Sequence, residues 1–340
     1  MEYKTTDKSA AAPLLVLVVP VFNEEAVIEK SAKVLSDKVK SLAEKQTVSK
    51  GSRILFVNDG STDNTLRIIH GLCERDPVFS VVNFAANRGH QNAILAGMMT
   101  AKGTADIVVT IDADLQQDIE AIDLFIEKYT EGCEVVYGVR NDRHSDGLAK
   151  KFTASSYYNL MKLLGADIIP NHADYRLVSS KVLDALSEYR EVNLFLRGLI
   201  PNMGFRSGIV YFDVKEREAG TSKYTFKKMM RLAMDGITSF STRPLHLIGL
   251  LGFFVVIFGI IMSIVCLVDW INGRNIPGYT TLLIVLLIST GATLLSLGVI
   301  GEYIAKIYME TKHRPPYIID SVVWQDPAGK QGEKTSDGDE

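Results

Sequence analysis

Two stretches near the C-terminal end constrain this chain more than anything else in it. Residues 247–268 and 279–301 carry no charged side chain. Each is roughly 22 residues long, about 33 Å as a helix, which matches the hydrocarbon core of a bilayer. Asn272, Gly273, Asn275, Pro277 and Gly278 make the connection between them turn-rich. The two runs read as a transmembrane hairpin with spans at 245–271 and 279–303. The rival is a helical hairpin buried in a soluble core, which two such runs in tandem disfavour. Arg231 and Arg243 precede the first span, Lys306, Lys312 and Arg314 follow the second, and the loop between holds only Arg274. The positive-inside rule then puts both ends of a multi-pass cell-membrane protein in the cytoplasm.

Just upstream, Phe226, Met229, Met230, Ala233, Ile237 and Phe240 fall on one helical face. Lys223, Lys227, Lys228 and Arg231 occupy the other. A basic amphipathic helix over 223–244 suits a membrane interface; the alternative is a helix packed on a soluble domain. Residues 1–13 read as a disordered lead, and 304–340 as a cytoplasmic tail with a disordered end. The net charge of −3 argues against a nucleic-acid partner. Three widely spaced cysteines, Cys73, Cys133 and Cys266, form neither a disulfide framework nor a zinc site.

The region 14–222 alternates short aliphatic runs with helical patterns. Strands are expected near 14–19, 53–57, 78–84, 107–111 and 135–139, with helices between them; Pro20 ends the first. Strands apolar on both faces imply an α/β layer with a mostly parallel sheet. In such sheets ligands bind beyond the carboxyl ends of the strands. That rule gathers residues 20–25, 58–65, 87–91, 112–116 and 138–143 around one crevice.

Asp112-Ala113-Asp114 ends the fourth strand. Two carboxylates one residue apart suit Mg²⁺ or Mn²⁺, which keeps coordination positions for substrate phosphates. A calcium loop counted from Asp112 needs Gly at its sixth position and Glu at its twelfth. The chain has Gln117 and Asp123 there. An acidic helix-capping turn is the plain alternative. No glycine-rich dinucleotide or P-loop motif occurs.

Taken in order, Pro20-Val21-Phe22-Asn23-Glu24, Asn58-Asp59-Gly60-Ser61-Thr62-Asp63 and Asp112-Ala113-Asp114-Leu115-Gln116 resemble glycosyltransferase family two, whose fold is GT-A. Asn87-Arg88-Gly89-His90-Gln91, Asp174-Tyr175-Arg176-Leu177 and the 217–224 segment extend the resemblance to the polyprenyl-phosphate glycosyltransferases, the bactoprenol glucosyltransferase type among them. The resemblance implies that Pro20, Phe22 and Glu24 line the nucleotide pocket and that Asp59 accepts a hydrogen bond from the base. It implies that Asp112 lies near ribose and metal, with Asp114 and Gln116 as metal ligands. Arg217, Ser222 and Lys223 would face the donor diphosphate. Arg140, Lys150 and Lys151 would face the acceptor phosphate.

Each of these roles has a structural alternative. Asp59 and Ser61 also suit a turn and a helix cap. Arg140, Lys150 and Lys151 also suit solvated surface, and Asp174 with Arg176 suits an ion pair.

The expected activity is an inverting transfer of a hexose, glucose from UDP-glucose as the first choice, to undecaprenyl or another polyprenyl phosphate. Asp112, Asp114, Asp174 and Arg217 would be its catalytic residues. The rivals are a processive polysaccharide synthase and a non-enzymatic nucleotide-sugar-binding membrane scaffold. Gly249, Gly252 and Gly259 would allow close helix contact in a homo-oligomer.

Overall fold

A computed structural model of the chain describes residues 11–141, 172–189, 196–213, 243–272, 278–325 and 331–333. The expected amphipathic helix at 223–244 lies outside them over 223–242, its last two residues opening the first apolar helix, and Lys150, Lys151, Arg217, Ser222 and Lys223 lie outside them too. The chain divides into two compact units.

The first unit alternates strand and helix: β1 (Leu15–Val21), α1 (Ile28–Glu44), β2 (Arg53–Asn58), α2 (Thr65–Arg75), β3 (Phe79–Phe84), α3 (His90–Ala101), β4 (Ile107–Thr110), α4 (Ala121–Thr130) and β5 (Val135–Arg140). There follow β6 (His172–Ser179), α5 (Ser180–Glu188), α6 (Leu196–Asn202), β7 (Ser207–Phe212) and, far along the chain, β8 (Ile319–Gln325) and β9 (Gln331–Glu333). The sheet order is β7-β5-β6-β4-β1-β2-β3-β8-β9.

Strands β1 to β4 are buried along their whole length, as their aliphatic runs require. Leu15, Leu17, Val19, Ile54, Phe56, Ile107 and Val109 pack with Ile28, Leu35, Val39 and Leu42 of α1 and Phe125 of α4. Helix α3 covers the other face. It comes so close that a Cβ on Gly97 would lie 2.3 Å from Val18 Cγ1, so only glycine fits there.

The centre of the sheet, β3-β2-β1-β4, is parallel, as the sequence implies. Its flanks depart from that expectation. Strand β6 runs antiparallel between β4 and β5, and β8 adds antiparallel to β3. Pro20 does not end β1: pairing continues through Pro20 opposite Val57 and Val21 opposite Asn58.

Residues 319–325, expected in a tail, join the sheet. Asn83 donates to Asp320 at 3.0 Å, and Asn58 donates to Asn83 at 2.7 Å. Phe84 stacks on Tyr317 at 5.1 Å, and Arg53 sits over the Trp324 ring.

The second unit contains α7 (Arg243–Ile271) and α8 (Tyr279–Thr311). The windows Leu245–Met262 and Ile288–Thr311 have mean hydropathies of 2.6 and 1.3, and none of either window is buried. Both helices are long and apolar enough to cross a membrane. Burial in a soluble core, the rival reading of these runs, is not seen among the described residues of either window.

Candidate active site

The carboxyl ends of β1 and β2 are laced together by polar side chains. Asn23 adopts φ +55, a conformation asparagine tolerates better than most residues. Its backbone N–H donates to Ser61 Oγ at 2.9 Å, and its Oδ1 accepts the Thr62 N–H at 2.8 Å. The Glu24 N–H donates to Thr65 Oγ1 at 2.8 Å. This lacing explains why the segments 22–25 and 61–65 hold one shape. It leaves Phe22 45% exposed beside them, an aromatic surface open to a ligand.

Asp59, at the end of β2, is buried. Its Oδ1 accepts the Arg88 N–H at 2.6 Å and its Oδ2 the Gly89 N–H at 2.9 Å. Burial pushes its carboxyl above the usual range, and these two N–H groups with His90 offset part of the rise. Gly60 must be glycine: at φ +66 an added Cβ would lie 2.6 Å from Asn87 N. Asp59 therefore anchors the loop that leads into α3 and places His90 at the head of that helix. The family resemblance implies a role for Asp59 at the base; in the structure its carboxylate grips this loop.

The second group forms where β4 meets β6. Antiparallel pairing sets Thr110 opposite Arg176. Running on from that pair, the register brings Asp174 to the level of Asp112. Asp112 is gripped by Gln117, which is buried: the Gln117 amide donates to Asp112 Oδ2 at 2.7 Å, and its Oε1 accepts the Asp112 N–H at 2.9 Å. Asp112 Oδ1 lies 3.5 Å from His90 Nε2, which is also 3.7 Å from Asp174 Oδ2. Burial raises the Asp112 carboxyl; His90 opposes the rise, while Asp174 and Asp114 add to it.

Asp114 is exposed, and its Oδ1 accepts the Gln116 N–H at 3.1 Å. Leu115 between them sits at φ +50, a costly conformation for a branched side chain. The strain belongs to a loop that turns both carboxylates toward the end of the sheet.

Asp174 is 5% exposed and receives four donors. Arg176, fully buried, donates at 2.6 Å, Arg197 through Nε at 3.1 Å and Nη2 at 2.8 Å, and Gln91 at 3.0 Å. Burial alone would raise its carboxyl; the Arg176 and Arg197 guanidiniums outweigh that and hold it well below the usual range. The expected pairing of Asp174 with Arg176 is present. A carboxylate held this firmly in its charged form is a weak base. Arg176 also donates to Leu196 O at 3.0 Å, which fixes the start of α6 and with it Arg197.

Of the residues singled out in the sequence, the structure therefore brings Asp112, Asp114, Gln116 and Asp174 to one edge, with Pro20, Phe22, Glu24 and Asp59 along the same edge at β1 and β2. Arg140 ends β5, exposed, and is close enough to lower the Asp112 carboxyl's pKa. His90, Gln91, Gln117 and Arg197 received no role from sequence. His90 and Gln91 sat in a quoted motif, and Gln117 adjoins Gln116; Arg197 carried no local signal.

Among the described residues, no three His, Cys, Asp or Glu side chains gather as a preformed metal cage. The donor set fits a hard cation held by one or two carboxylates and completed by substrate phosphates. Asp112 meets that description, since Gln117 takes one oxygen and burial beside like charges favours a nearby cation.

Glycosyl transferase family 2 matches the chain over residues 16–186. The chain is 44% identical to the uncharacterized glycosyltransferase YkoT of Bacillus subtilis over 308 residues, 91% of each chain. It is 39% identical to the bactoprenol glucosyl transferase of Shigella phage SfV over 305 residues, 89% of this chain and 97% of the relative. A solved structure it resembles is the Mycobacterium tuberculosis glucosyl-3-phosphoglycerate synthase with Mn²⁺ and UDP-glucose, at TM-score 0.41 and 20% identity, covering 66% of this chain and 78% of that one. The sheet with its carboxylate pair at the end of β4 and the family match over half the sequence agree: this chain belongs to glycosyl transferase family 2 and is a glycosyltransferase with a GT-A-like mixed sheet.

Proposed function

We propose that the enzyme transfers a hexose from a nucleotide-sugar to a polyprenyl phosphate, with inversion at the anomeric carbon. Relatives named bactoprenol glucosyl transferase, 38–39% identical over about nine tenths of the chain, support the lipid acceptor and make glucose from UDP-glucose the first donor to test. The observation that carries the reading is the Asp112–Asp114 pair at the carboxyl end of β4, with Asp112 held by Gln117 and facing His90.

Phe22 and the laced segments around it receive the nucleoside. Asp112, Asp114 and Gln116 would hold Mg²⁺ or Mn²⁺, and a cation there would supply positive charge to offset that developing on the leaving diphosphate. The family resemblance would give Arg217, Ser222 and Lys223 to that diphosphate and Arg140, Lys150 and Lys151 to the acceptor. A phosphate monoester has its second pKa near about 6, so it is mostly a dianion at neutral pH and needs no strong base. That agrees with the firmly ionised state of Asp174. The two apolar helices anchor the chain, with the catalytic unit and both ends on the cytoplasmic side.

The test is a donor screen with purified protein and undecaprenyl phosphate, with and without Mg²⁺ or Mn²⁺. Metal-dependent formation of a lipid-phosphate sugar is expected from one donor. Asp114→Asn should abolish transfer yet leave the protein in the membrane fraction. Turnover near that of the wild type in this variant would remove the metal assignment.

A further inference from the structure

Residues 85–89 join β3 to α3, and they are held from both sides. On the β2 side, Asp59 accepts the Arg88 and Gly89 N–H groups at 2.6 and 2.9 Å. Gly60 lies so near that an added Cβ would meet Asn87 N at 2.6 Å and the Ala86 carbonyl carbon at 2.7 Å. On the far side the contact comes from the C-terminal part of the chain. Strand β8 runs antiparallel to β3, so it begins where β3 ends, at the carboxyl edge of the sheet. There the Ala85 N–H donates to Ile318 O at 3.1 Å. The Tyr317 ring stacks on Phe84 with centroids 5.1 Å apart and planes 4° from parallel. Further along, Asp320 accepts from the Asn83 amide, and Asn83 accepts from that of Asn58, the residue before Asp59.

The two ends of this stretch serve two parts of the crevice. One abuts Asp59 and Gly60. The other delivers His90, whose Nε2 lies 3.5 Å from Asp112 Oδ1. A shift of the stretch would move both together. On the function proposed above, which this inference rests on, those two places receive the nucleoside and the diphosphate. The holds at the two ends differ in kind. Asp59 grips residues 88 and 89 through charge-assisted hydrogen bonds, which are short and directional. At the β3 end the pairing with β8 is irregular between Asn83 and Phe84, so the ladder alone does not set the path of the chain there. Phe84 is 2% exposed, and the Tyr317 ring is part of its cover. A stacked aromatic pair adds attraction beyond the area it buries. The Tyr317 ring and the Ile318 carbonyl thus fix the start of the stretch as Asp59 fixes its end.

We propose that Tyr317 is a positioning residue of the donor site: by clamping Phe84 and Ala85 it sets where residues 86–90 stand, and with them the affinity for the nucleoside diphosphate part of the donor. Tyr317 comes six residues after Thr311, the end of α8. The segment that follows the second apolar helix therefore serves the donor site as well as the sheet.

The experiment uses the full-length protein in detergent with Mn²⁺ and has two readouts. One is amide hydrogen exchange over residues 85–92; the other is the Kd for UDP, with GDP measured beside it. Tyr317→Ala should speed exchange over 85–92 and leave that of β1 and β4 unchanged. It should weaken binding of the nucleotide that the wild type holds by about 5-fold or more, the low end of an ordinary coupling between sites. The donor KM should rise with the Kd, while the KM for undecaprenyl phosphate stays within about 2-fold. Tyr317→Phe keeps the ring and should match the wild type in every readout. Tyr317→Leu fills the space without a flat ring, should fall between the two, and carries the test if the alanine variant does not fold. Val323→Ala weakens β8 where it pairs with Val81 in mid-strand; it should lower the unfolding midpoint and leave nucleotide affinity unchanged. Unaltered exchange over 85–92 in Tyr317→Ala would overturn the clamp. Faster exchange with unaltered affinity would overturn its role at the donor site, as would a loss of affinity in Val323→Ala equal to that in Tyr317→Ala. Failure of the underlying function shows differently: the wild type would then bind neither nucleotide and transfer to no prenyl phosphate, and the donor role of Tyr317 would fall with it.

Discussion

Asp174 illustrates how a charged side chain can be both buried and stable. Two guanidiniums and an amide surround it, so removing its charge strands Arg176, which has no exposure of its own. Asp174→Asn should cost about 3–5 kcal/mol at neutral pH, the usual result of unpairing a buried ion. The pH dependence has a definite sign. The folded pKa is depressed, so this stabilisation is complete above the unfolded value of about 3.9 and disappears as pH falls through the lower folded value. Denaturant unfolding of wild type and variant should differ most near neutrality and converge below about pH 4. A constant difference across that range would show that Asp174 is not held ionised.

The same residue shows the reach of sequence. Asp174 and Arg176 stand two apart and could be paired on inspection. Arg197 and His90 come from other elements, and only the β4–β6 register and the Asp59 grip on residues 88–89 bring them in. Gln116 was read from the sequence as a metal ligand and Gln117 only as the sixth position of a calcium loop, so the Gln117 grip on Asp112 had no signal there.

Strands β1 to β5 were legible because each is an aliphatic run, enclosed on both faces. Strands β6 and β8 mix polar with apolar residues, and their place depends on partners distant in sequence. For β8 the pairing reads clearly once seen: Val322 and Val323 meet Val82 and Val81, and Asp320 receives the Asn83 amide, which in turn receives that of Asn58. Asp320 is a carboxylate and only accepts, so it fixes which way both amides face. Asp320→Ala should destabilise the catalytic unit by about 1–3 kcal/mol, the cost of leaving the Asn83 donor unmet. Thermal unfolding of the purified protein checks it; an unaltered midpoint would mean that β8 adds nothing to the sheet.

The charge-free runs were readable as helices from their length and composition, and both helices are long and apolar enough to cross a membrane. Their orientation rests on the flanking cations, and a labelling experiment separates the two possibilities. In a background lacking other reactive thiols, Asn275→Cys should react with a membrane-impermeant maleimide applied to intact cells. Lys312→Cys should react only after the membrane is opened. The reverse pattern would invert the topology and put the sugar donor on the wrong side. Cys73 and Cys133 are buried, and burial pushes the Cys73 thiol up to about 12, so neither competes for the label.

Strand β8 has one more consequence, and it concerns the order of synthesis. Helices α7 and α8 leave the ribosome before β8 does. The hydrogen-bonding edge of β3 thus stays open through the whole interval in which the apolar hairpin is being made. A nascent chain stalled in that interval carries a sheet with a bare edge, a template for pairing with other chains. The β3 edge is covered only by residues translated after the hairpin, so a complete catalytic sheet certifies that the hairpin has already been made.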